Sequence, residues 1–317
     1  MIGLKCDWLM EEENRHFVVE DYQAGEPRWC PGCGDHAILT SIQRLCNEEQ
    51  LEPENTVFVS GIGCSSRFPH YMKTYGFHSL HGRALPIACG VRSRRPDLNV
   101  FVVTGDGDCT SIGAGHWLHA IRYNMKMVVL LFDNQIYGLT KMQTSPTTPK
   151  NAYSNTHPQG SWIEPLNPIS VVLGITNASF VATTVDWNPV HLYATIKEAH
   201  KHNGLAFVRI MQRCPHFTAD YFTGLMDDPS KIVLMEHEDG IPTTDVMKKY
   251  FKNRETHDPS NIIEALDYAH RTDAIPIGLF YKNTNAPVYS DFSAMGLDTS
   301  NDAKLEALEK ELNKFSI

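Results

Sequence analysis

The sequence contains no long apolar run. Nowhere in its 317 residues do about 18 consecutive apolar positions occur, the length that a membrane-spanning helix needs. Residues 1–13 reach acidic side chains before any apolar segment of signal-peptide length. We therefore expect neither a membrane span nor a secretion signal, and we expect a cytoplasmic location in which cysteines stay reduced.

An excess of positive charge is also missing. The chain has 28 Lys and Arg against 37 Asp and Glu, which gives a net charge of −9. A nucleic-acid-binding protein concentrates positive charge on one face, whereas the only dense basic cluster here is the short segment Arg92–Arg95. Nucleic acid is therefore not an expected partner. The apolar share of 42% is enough for a sizeable hydrophobic core.

Apolar segments rich in β-branched residues alternate with helix-like segments, and no internal repeat is visible. Strands are predicted at 56–60, 99–104, 126–132 and 205–211, and helices at 84–94, 112–124 and 189–203. Continuously apolar strands separated by helices predict an α/β fold, a mostly parallel sheet with helices on both faces. We divide the chain into an N-terminal lead-in (1–28), an α/β domain (29–217) and a C-terminal extension for packing (218–317).

Polar residues follow two of the predicted strands. The segment Gly105–Asp108 ends one strand, and Asn134 ends the next. In a parallel sheet, ligands bind at the edge formed by the carboxyl ends of the strands. Glycines let backbone N–H groups approach a phosphate, while the Asp106 carboxylate, the Asn134 amide oxygen and the Ile136 carbonyl are hard ligands suited to Mg²⁺. The pattern predicts a phosphate–magnesium site, although a Gly-Asp turn without a ligand has the same local sequence.

Four of the eight cysteines are candidate metal ligands. Cys30 and Cys33 form a C-x-x-C pair where a helix pattern begins, and Cys64 and Cys214 each follow a strand. A lone C-x-x-C also fits a redox pair or half a zinc site, but a second pair at zinc-ribbon spacing is missing. Four thiolates from separate loops suit a [4Fe–4S] cluster, although spacing alone leaves Cys214 open. Three others are predicted to pack in the core: Cys46, Cys89 and Cys109.

Six segments carry a resemblance to a known family: Trp29–Gly34, Gly61–Ser65, Leu80–Arg83, Gly105–Asp108, Asp133–Thr140 and Gln143–Pro146. In this order they resemble the beta subunits of 2-oxoacid:ferredoxin oxidoreductases, and the 2-oxoglutarate-type members most of all. The resemblance covers roughly residues 28–217. Neither the lead-in nor the region after residue 217 contributes to it.

The resemblance implies a thiamine-pyrophosphate-binding fold with thiamine pyrophosphate, Mg²⁺ and a [4Fe–4S] cluster as cofactors. It implies oxidative decarboxylation of a 2-oxoacid, with coenzyme A accepting the acyl group and ferredoxin the electrons. The glutamate that activates the cofactor in this family belongs to an alpha subunit, and its motif is absent here. We therefore expect activity only in a hetero-oligomer, a dimer of alpha–beta units.

The resemblance also assigns roles to residues. It places Mg²⁺ on Asp106, Asn134 and the Ile136 carbonyl, and the cluster on Cys30, Cys33, Cys64 and Cys214. The expected cofactor contacts are Gly63, Cys64, Ser65, His81, Gly105, Asp106, Gly107, Asp108, Asn134, Ile136, Tyr137, Gly138 and Leu139.

Two basic residues are candidate catalytic groups. His81 could hydrogen-bond the pyrophosphate or a reaction intermediate, although a histidine before a glycine is more often an ordinary loop residue. Arg67 follows Cys64 by three residues and could bind a substrate carboxylate through its guanidinium, with a surface or interface ion pair as the alternative.

Two other functions stay open at this point. One is a thiamine-dependent decarboxylase or ligase without redox chemistry, in which the cysteines are structural. The other is a zinc-bound interaction module without catalysis. An anaerobic visible spectrum, combined with iron, sulfide and thiamine analysis, distinguishes all three.

Overall fold

The structure is a computed structural model and describes residues 15–289, 298 and 300–315. Half of the predicted lead-in, residues 1–14 with Cys6, lies outside this part. The rest of the lead-in is irregular except for a 3₁₀ turn at Val19–Tyr22. Tyr22 anchors this segment, because its ring is fully buried and its hydroxyl donates to the Leu51 carbonyl over 2.9 Å.

Nine strands form one sheet within the described residues. They are β1 (Thr56–Ser60), β2 (Tyr75–His78), β3 (Asn99–Gly105), β4 (Met127–Asp133), β5 (Phe180–Val185), β6 (Leu205–Met211), β7 (Ile232–Glu236), β8 (Arg254–Thr256) and β9 (Ile275–Lys282). The order is β2-β1-β3-β4-β6-β5-β9-β7-β8. Every pair is parallel except β5 with β9. The predicted mostly parallel sheet is confirmed.

Helices cover both faces of the sheet. They are α1 (Asp35–Glu48), α2 (Ala84–Arg94), α3 (Ala114–Tyr123), α4 (Pro168–Leu173), α5 (Pro189–Lys201), α6 (Thr223–Asp227), α7 (Asp245–Tyr250), α8 (Ile262–Ala269) and α9 (Asn301–Asn313). Successive strand side chains point to opposite faces. In β1, Phe58 packs in the core under α1 and α5, whereas Val57 and Val59 pack in the core under α2 and α3.

The strand order determines where the functional loops meet. β1, β3, β4 and β6 are consecutive neighbours in the sheet. Because they run parallel, the loops that follow them emerge side by side along one edge. These are the four strands predicted from the sequence, and the candidate ligands follow them.

The region after residue 217 differs from the packing extension predicted for it. Residues 218–282 add β7, β8 and β9 to the same sheet, and β9 pairs with β5, whose residues are all buried. A third core lies here, around Val185, Phe222 and Phe251. The sheet therefore continues across the predicted boundary. No helix among the described residues is long and apolar enough to cross a membrane.

This continuity makes a truncation informative. A chain that ends at residue 217 loses β9 and exposes the backbone edge of β5, and we expect it to aggregate or remain unfolded. A chain that ends at residue 289 loses α9, in which no residue is buried, and should fold. Size-exclusion chromatography and circular dichroism check both; a folded, monomeric 1–217 fragment would contradict the single sheet.

Candidate functional site

The loops after β1, β3 and β4 line one cleft at the carboxyl edge of the sheet. Every residue predicted to contact the cofactor lies in its wall. Three residues that the sequence did not single out complete the lining: Ile62, Phe132 and Thr140. The structure thus brings together segments that are up to about 80 residues apart in the sequence.

The Asp108 carboxylate holds this cleft together. It is 2% exposed, and its Oδ1 accepts from the backbone N–H of Ile62 at 3.1 Å, the backbone N–H of Gly82 at 2.7 Å and His81 Nδ1 at 2.6 Å. Its Oδ2 accepts from the Thr104 hydroxyl at 2.7 Å. Four protein donors therefore surround this carboxylate, and they come from three separate segments.

The loop after β1 depends on glycine for this arrangement. A Cβ at Gly61 would lie 2.0 Å from an oxygen of Asp108, so a larger residue would displace the carboxylate. Gly63 has a φ of +135°, which L residues rarely adopt, and no atom lies within 4 Å of the position of an added Cβ. The backbone at Gly63 is consequently open to the cleft.

His81 is oriented by its contact with Asp108. A carboxylate only accepts, so Nδ1 of the imidazole carries the proton of that hydrogen bond. Nε2 is then the ring nitrogen left for a ligand in the cleft. The ring also lies edge-on to Tyr137, with 6.0 Å between centroids, and the Tyr137 hydroxyl donates to the Gly107 carbonyl at 3.0 Å.

Asp106 lies in a different environment from Asp108. Its Oδ2 accepts from the hydroxyls of Ser145 and Thr147, and Thr147 Oγ1 also lies 2.7 Å from Asp133 Oδ1. Asp133 pairs with Arg209 at 2.6 Å. Burial, followed by the charge of Asp133, raises the pKa of Asp106 to about 7. Without a cation nearby, this carboxyl group therefore keeps its proton to a higher pH than an ordinary aspartic acid does.

The loop after β4 brings Asn134 and Ile136 to the cleft that Asp106 also lines. Asn134 Oδ1 accepts from the Ile136 N–H at 3.2 Å, across Gln135 in the left-handed conformation (φ 62°). The Thr148 hydroxyl donates to the Gln135 carbonyl at 2.6 Å and fixes this turn. A carboxylate, an amide oxygen and a carbonyl oxygen from residues that line one cleft are a donor set that fits Mg²⁺.

The four candidate cysteines lie near one another. Cys30 is exposed, Cys33 and Cys64 are half-buried, and Cys214 is buried. Burial, then the charges of the Asp35 carboxylate and of the Cys214 and Cys30 thiols, raises the pKa of Cys64 to about 12. Burial, then Asp35, likewise raises the pKa of Cys33, with smaller effects from Cys214 and Cys64. Cys64 is thus within electrostatic range of the other three thiols, and Cys33 is within range of Cys64 and Cys214.

Cys64 belongs to both the cleft and the cysteine group. It lines the cleft, and a Cβ added at Gly138, another lining residue, would lie 3.6 Å from its Sγ. On the cysteine side, Gln212 Nε2 donates to Cys33 Sγ at 3.3 Å. Of the cysteines predicted to pack in the core, Cys46 and Cys109 are buried and Cys89 is half-buried.

Within the described ranges, no three His, Cys, Asp or Glu side chains are grouped so that they could hold one metal ion. A zinc module needs such a group, because its three or four ligands converge on a single ion. The candidate magnesium set contains only one residue of these types, Asp106. In a [4Fe–4S] cluster each cysteine binds a different iron, so its ligands are spaced more widely than those of one ion.

Arg67 lies outside the cleft. Its Nε donates to the Tyr71 hydroxyl at 2.9 Å, and its guanidinium lies 5.9 Å from the centre of the Tyr71 ring. Its positive charge acts on Cys64. The side chain would have to leave Tyr71 to reach a substrate in the cleft, so the structure places Arg67 with the cysteine group and not with the other predicted contacts.

Comparison with known proteins identifies the family. A sequence profile of the C-terminal thiamine-pyrophosphate-binding domain of thiamine pyrophosphate enzymes matches residues 61–210. The 2-oxoacid:ferredoxin oxidoreductase beta subunit of a Sulfolobus species is 39% identical over 265 residues, 83% of this chain and 84% of that protein. The chain belongs to the 2-oxoacid:ferredoxin oxidoreductase beta-subunit family.

Other members of the family are also similar. The 2-oxoglutarate oxidoreductase subunit KorB of Mycobacterium tuberculosis is 48% identical over 217 residues, which span 68% of this chain but only 58% of that relative. A solved structure of 2-oxoglutarate:ferredoxin oxidoreductase from Magnetococcus marinus, with 2-oxoglutarate, coenzyme A and succinyl-CoA bound, superimposes with a TM-score of 0.77 at 35% identity. The superposition covers 94% of this chain and 97% of the Magnetococcus chain.

The family likeness extends beyond the segment that the sequence motifs indicated. A profile of the C-terminal part of the pyruvate ferredoxin oxidoreductase beta subunit matches residues 239–294, where we found no resemblance. This stretch contains β8 and β9. The sequence likeness to this oxidoreductase family therefore includes the region of β8 and β9.

The role of Asp108 can be tested through stability. Asp108→Ala leaves four donors without their acceptor, and we expect the free energy of unfolding to fall by about 2 kcal/mol or more. Asp108→Asn keeps one acceptor oxygen and should lose less. Denaturant unfolding is the measurement, with the exposed Asp97→Ala as control. If all three variants unfold alike, Asp108 does not hold the loops together.

Proposed function

We propose that this chain is the thiamine-pyrophosphate-binding subunit of an enzyme that oxidatively decarboxylates a 2-oxoacid, 2-oxoglutarate as first choice. Coenzyme A accepts the acyl group, and the electrons pass through a [4Fe–4S] cluster to ferredoxin. The observation that carries this proposal is the position of Cys64, which lies in the wall of the cofactor cleft and within electrostatic range of the other candidate ligands.

When bound, thiamine pyrophosphate supplies the carbon nucleophile, and the cluster accepts single electrons. Asp106, Asn134 and the Ile136 carbonyl would hold Mg²⁺, which neutralises the pyrophosphate. The open backbone at Gly63 and the glycines that end β3 leave room for phosphate oxygens beside main-chain N–H groups.

His81 would act through Nε2. Because Asp108 holds Nδ1, the ring faces the cleft in one orientation. Nε2 can then hold a proton against a pyrophosphate oxygen or move one to and from a bound reactant. The Asp108 carboxylate is already surrounded by protein donors, so it would hold the loops of the cleft in place. The contact that we propose between Asp108 and the pyrophosphate is therefore made by the Asp108 backbone.

The cluster would be held by Cys30, Cys33, Cys64 and Cys214. The N–H of Gln212 that points at Cys33 Sγ is a donor that would stabilise a thiolate. The exposed and half-buried thiols among them fit a reducing compartment, such as the cytoplasm.

An alpha subunit would complete the site, as a dimer of alpha–beta units. No glutamate lines the cleft within the described residues, so the cofactor-activating glutamate implied by the family resemblance must come from elsewhere. Exposed apolar side chains surround the cleft, with Leu80 74%, Ile112 54% and Leu139 45% exposed, as at a protein interface. The relatives are themselves named as subunits.

The choice of 2-oxoglutarate rests on names given to other proteins. The mycobacterial relative is a 2-oxoglutarate oxidoreductase subunit, and the Magnetococcus structure holds 2-oxoglutarate. The Sulfolobus relative is named only for 2-oxoacids. Steady-state kinetics of the assembled complex with 2-oxoglutarate, pyruvate and 2-oxobutyrate decide between them.

The cluster assignment predicts a brown protein that bleaches on reduction. Cys64→Ser and Cys214→Ser should each lose iron and abolish electron transfer to ferredoxin, because each removes one thiolate ligand. Cys89→Ser, outside the group, is the control and should keep its iron. The measurement is the anaerobic visible spectrum with iron and sulfide analysis. A full iron content in both ligand variants would refute the assignment, and a colourless wild type would favour the non-redox alternative.

The magnesium assignment predicts a pH dependence. The pKa of Asp106 is raised to about 7, so a cation must displace a proton, and affinity for Mg²⁺–thiamine pyrophosphate should fall about tenfold per pH unit below this value. Without cofactor, the folded state binds this proton more tightly than the unfolded state, in which the pKa is near 3.8. The Asp106 contribution to stability therefore decreases as pH rises from about 4 to 7.

Calorimetric titration of cofactor across about two pH units around neutrality measures this slope. Asp106→Asn is the matched variant, because it keeps the side-chain shape but not the charge. We expect weaker binding and a smaller slope, since only the titration of the cofactor itself remains. Equal affinity and slope in both proteins would show that the Gly-Asp-Gly segment is only a turn.

A further inference from the structure

We propose that the surface around Cys30 is the docking site for the electron acceptor, a small acidic iron–sulfur protein, and that Arg28 is its principal contact. This inference rests on the proposed function, since it assumes a cluster at the four cysteines. It adds the surface through which the electrons leave. We call the exposed surface formed by Arg28, Cys30, Pro31, Gly32 and Pro215 the cysteine face.

An arginine accompanies each of the three cysteine segments. Arg28 precedes Cys30 by two residues, Arg67 follows Cys64 by three, and Arg213 immediately precedes the last candidate ligand. In a chain with a net charge of −9, each part of the candidate cluster site thus has an arginine beside it.

Two of these arginines meet at one hydroxyl group. The backbone N–H of Arg28 and the Nε of Arg67 both donate to Tyr71 Oη, each at 2.9 Å. The Tyr71 ring lies edge-on to Trp29, with 4.7 Å between centroids, and Trp29 Nε1 donates to the Cys64 carbonyl at 2.7 Å. This chain of contacts fixes the backbone of Arg28 and the side chain of Arg67 beside the cysteine group.

The cysteine site reaches the surface on this side. Cys30, Pro31 and Gly32 are exposed, and so is Pro215, against which a Cβ at Gly32 would lie at 4.0 Å. Two redox centres in different proteins exchange electrons only when they approach closely. An exposed ligand framed by small residues permits that approach. Of the four candidate ligands, Cys64 alone lines the cofactor cleft.

The charges on this surface are only partly compensated. Arg213 pairs with Asp186 at 2.9 Å. The Arg28 guanidinium is exposed and has no hydrogen bond or ion pair to any part of the chain that the structure describes. Arg67 contacts Tyr71 but no carboxylate among those residues.

None of the described acidic groups in the same chain segments is paired with Arg28. Asp35, at the start of α1, is fully buried. The exposed acids in the same chain segments are Glu26 and Asp220. An acidic partner would therefore meet the unpaired Arg28 guanidinium two residues from the exposed Cys30. Charge complementarity of this kind speeds encounter and makes it sensitive to salt.

The experiment uses the assembled holo-complex and an acidic ferredoxin. We expect Arg28→Glu to raise KM for ferredoxin roughly tenfold, weaken its binding in biolayer interferometry, and flatten the dependence of that binding on ionic strength. Reduction of methyl viologen by 2-oxoglutarate should not change, because a small dye needs no docking surface. Glu26→Lys should have the opposite effect and lower KM for ferredoxin.

Arg94→Glu is the matched control. Arg94 is also exposed and without a partner among the described residues, but it ends α2 and leads towards the start of β3, at the opposite edge of the sheet. An equal effect of Arg28→Glu and Arg94→Glu would overturn the proposal. Loss of the alpha subunit from the Arg28→Glu variant in size-exclusion chromatography would also overturn it, because the alpha subunit would then cover the cysteine face.

Failure of the underlying function looks different. If the wild-type complex holds no iron and reduces neither methyl viologen nor ferredoxin, the proposed function is wrong and no docking site is needed. If it reduces both, and Arg28→Glu affects neither binding nor KM, the function stands and only the docking site is wrong.

Discussion

The hydrogen bonds of the Asp108 carboxylate are the interaction on which the candidate site depends. Parallel strands β1 and β3 bring their loops to the same edge, but sheet geometry alone does not align these loops. Asp108 does so by accepting from Ile62, His81 and Gly82 at one oxygen and from Thr104 at the other. A buried charge with this many donors is well stabilised, and loss of the acceptor would leave every donor unsatisfied.

The neighbouring acid, Asp106, differs from Asp108 in its hydrogen-bond partners. Its partners are hydroxyls, and Thr147 lies between it and a second carboxylate, Asp133. Burial and that second charge raise the pKa of Asp106. These two carboxylates, two residues apart, thus have different roles. The charge of Asp108 is compensated by protein donors, whereas Asp106 is left to bind a cation. In the proposed function that cation is Mg²⁺, and Cys64 connects the same cleft to the cysteine group.

Much of this could be predicted from the sequence. Continuous apolar segments gave β1, β3, β4 and β6 nearly to the residue, and the polar residues that follow them were assigned to one edge because parallel strands share it. Helix α2 was also predicted with its bounds, 84–94. These features are local or follow from strand direction, so a single sequence contains them.

Other features depend on contacts between distant segments and were missed. The exposed strand β2 and the short strands β7 and β8 have weak patterns of their own and form because a neighbouring edge pairs with them. The sequence placed Asp108 among the pyrophosphate contacts without indicating its four donors, and placed Arg67 in the cleft, since the role of Tyr71 is visible only in three dimensions. Ser145 and Thr147 were not linked to Asp106 for the same reason.

The central claim is that the cofactor cleft and a cluster at the four cysteines share Cys64 and exchange electrons directly. Anaerobic addition of 2-oxoglutarate to the assembled complex, without ferredoxin, tests it most directly. We expect the visible absorption of the cluster to bleach and the signal of a reduced cluster to appear in electron paramagnetic resonance, only when thiamine pyrophosphate and Mg²⁺ are present. A cluster that dithionite reduces but 2-oxoacids never do, with cofactor bound, would contradict the account.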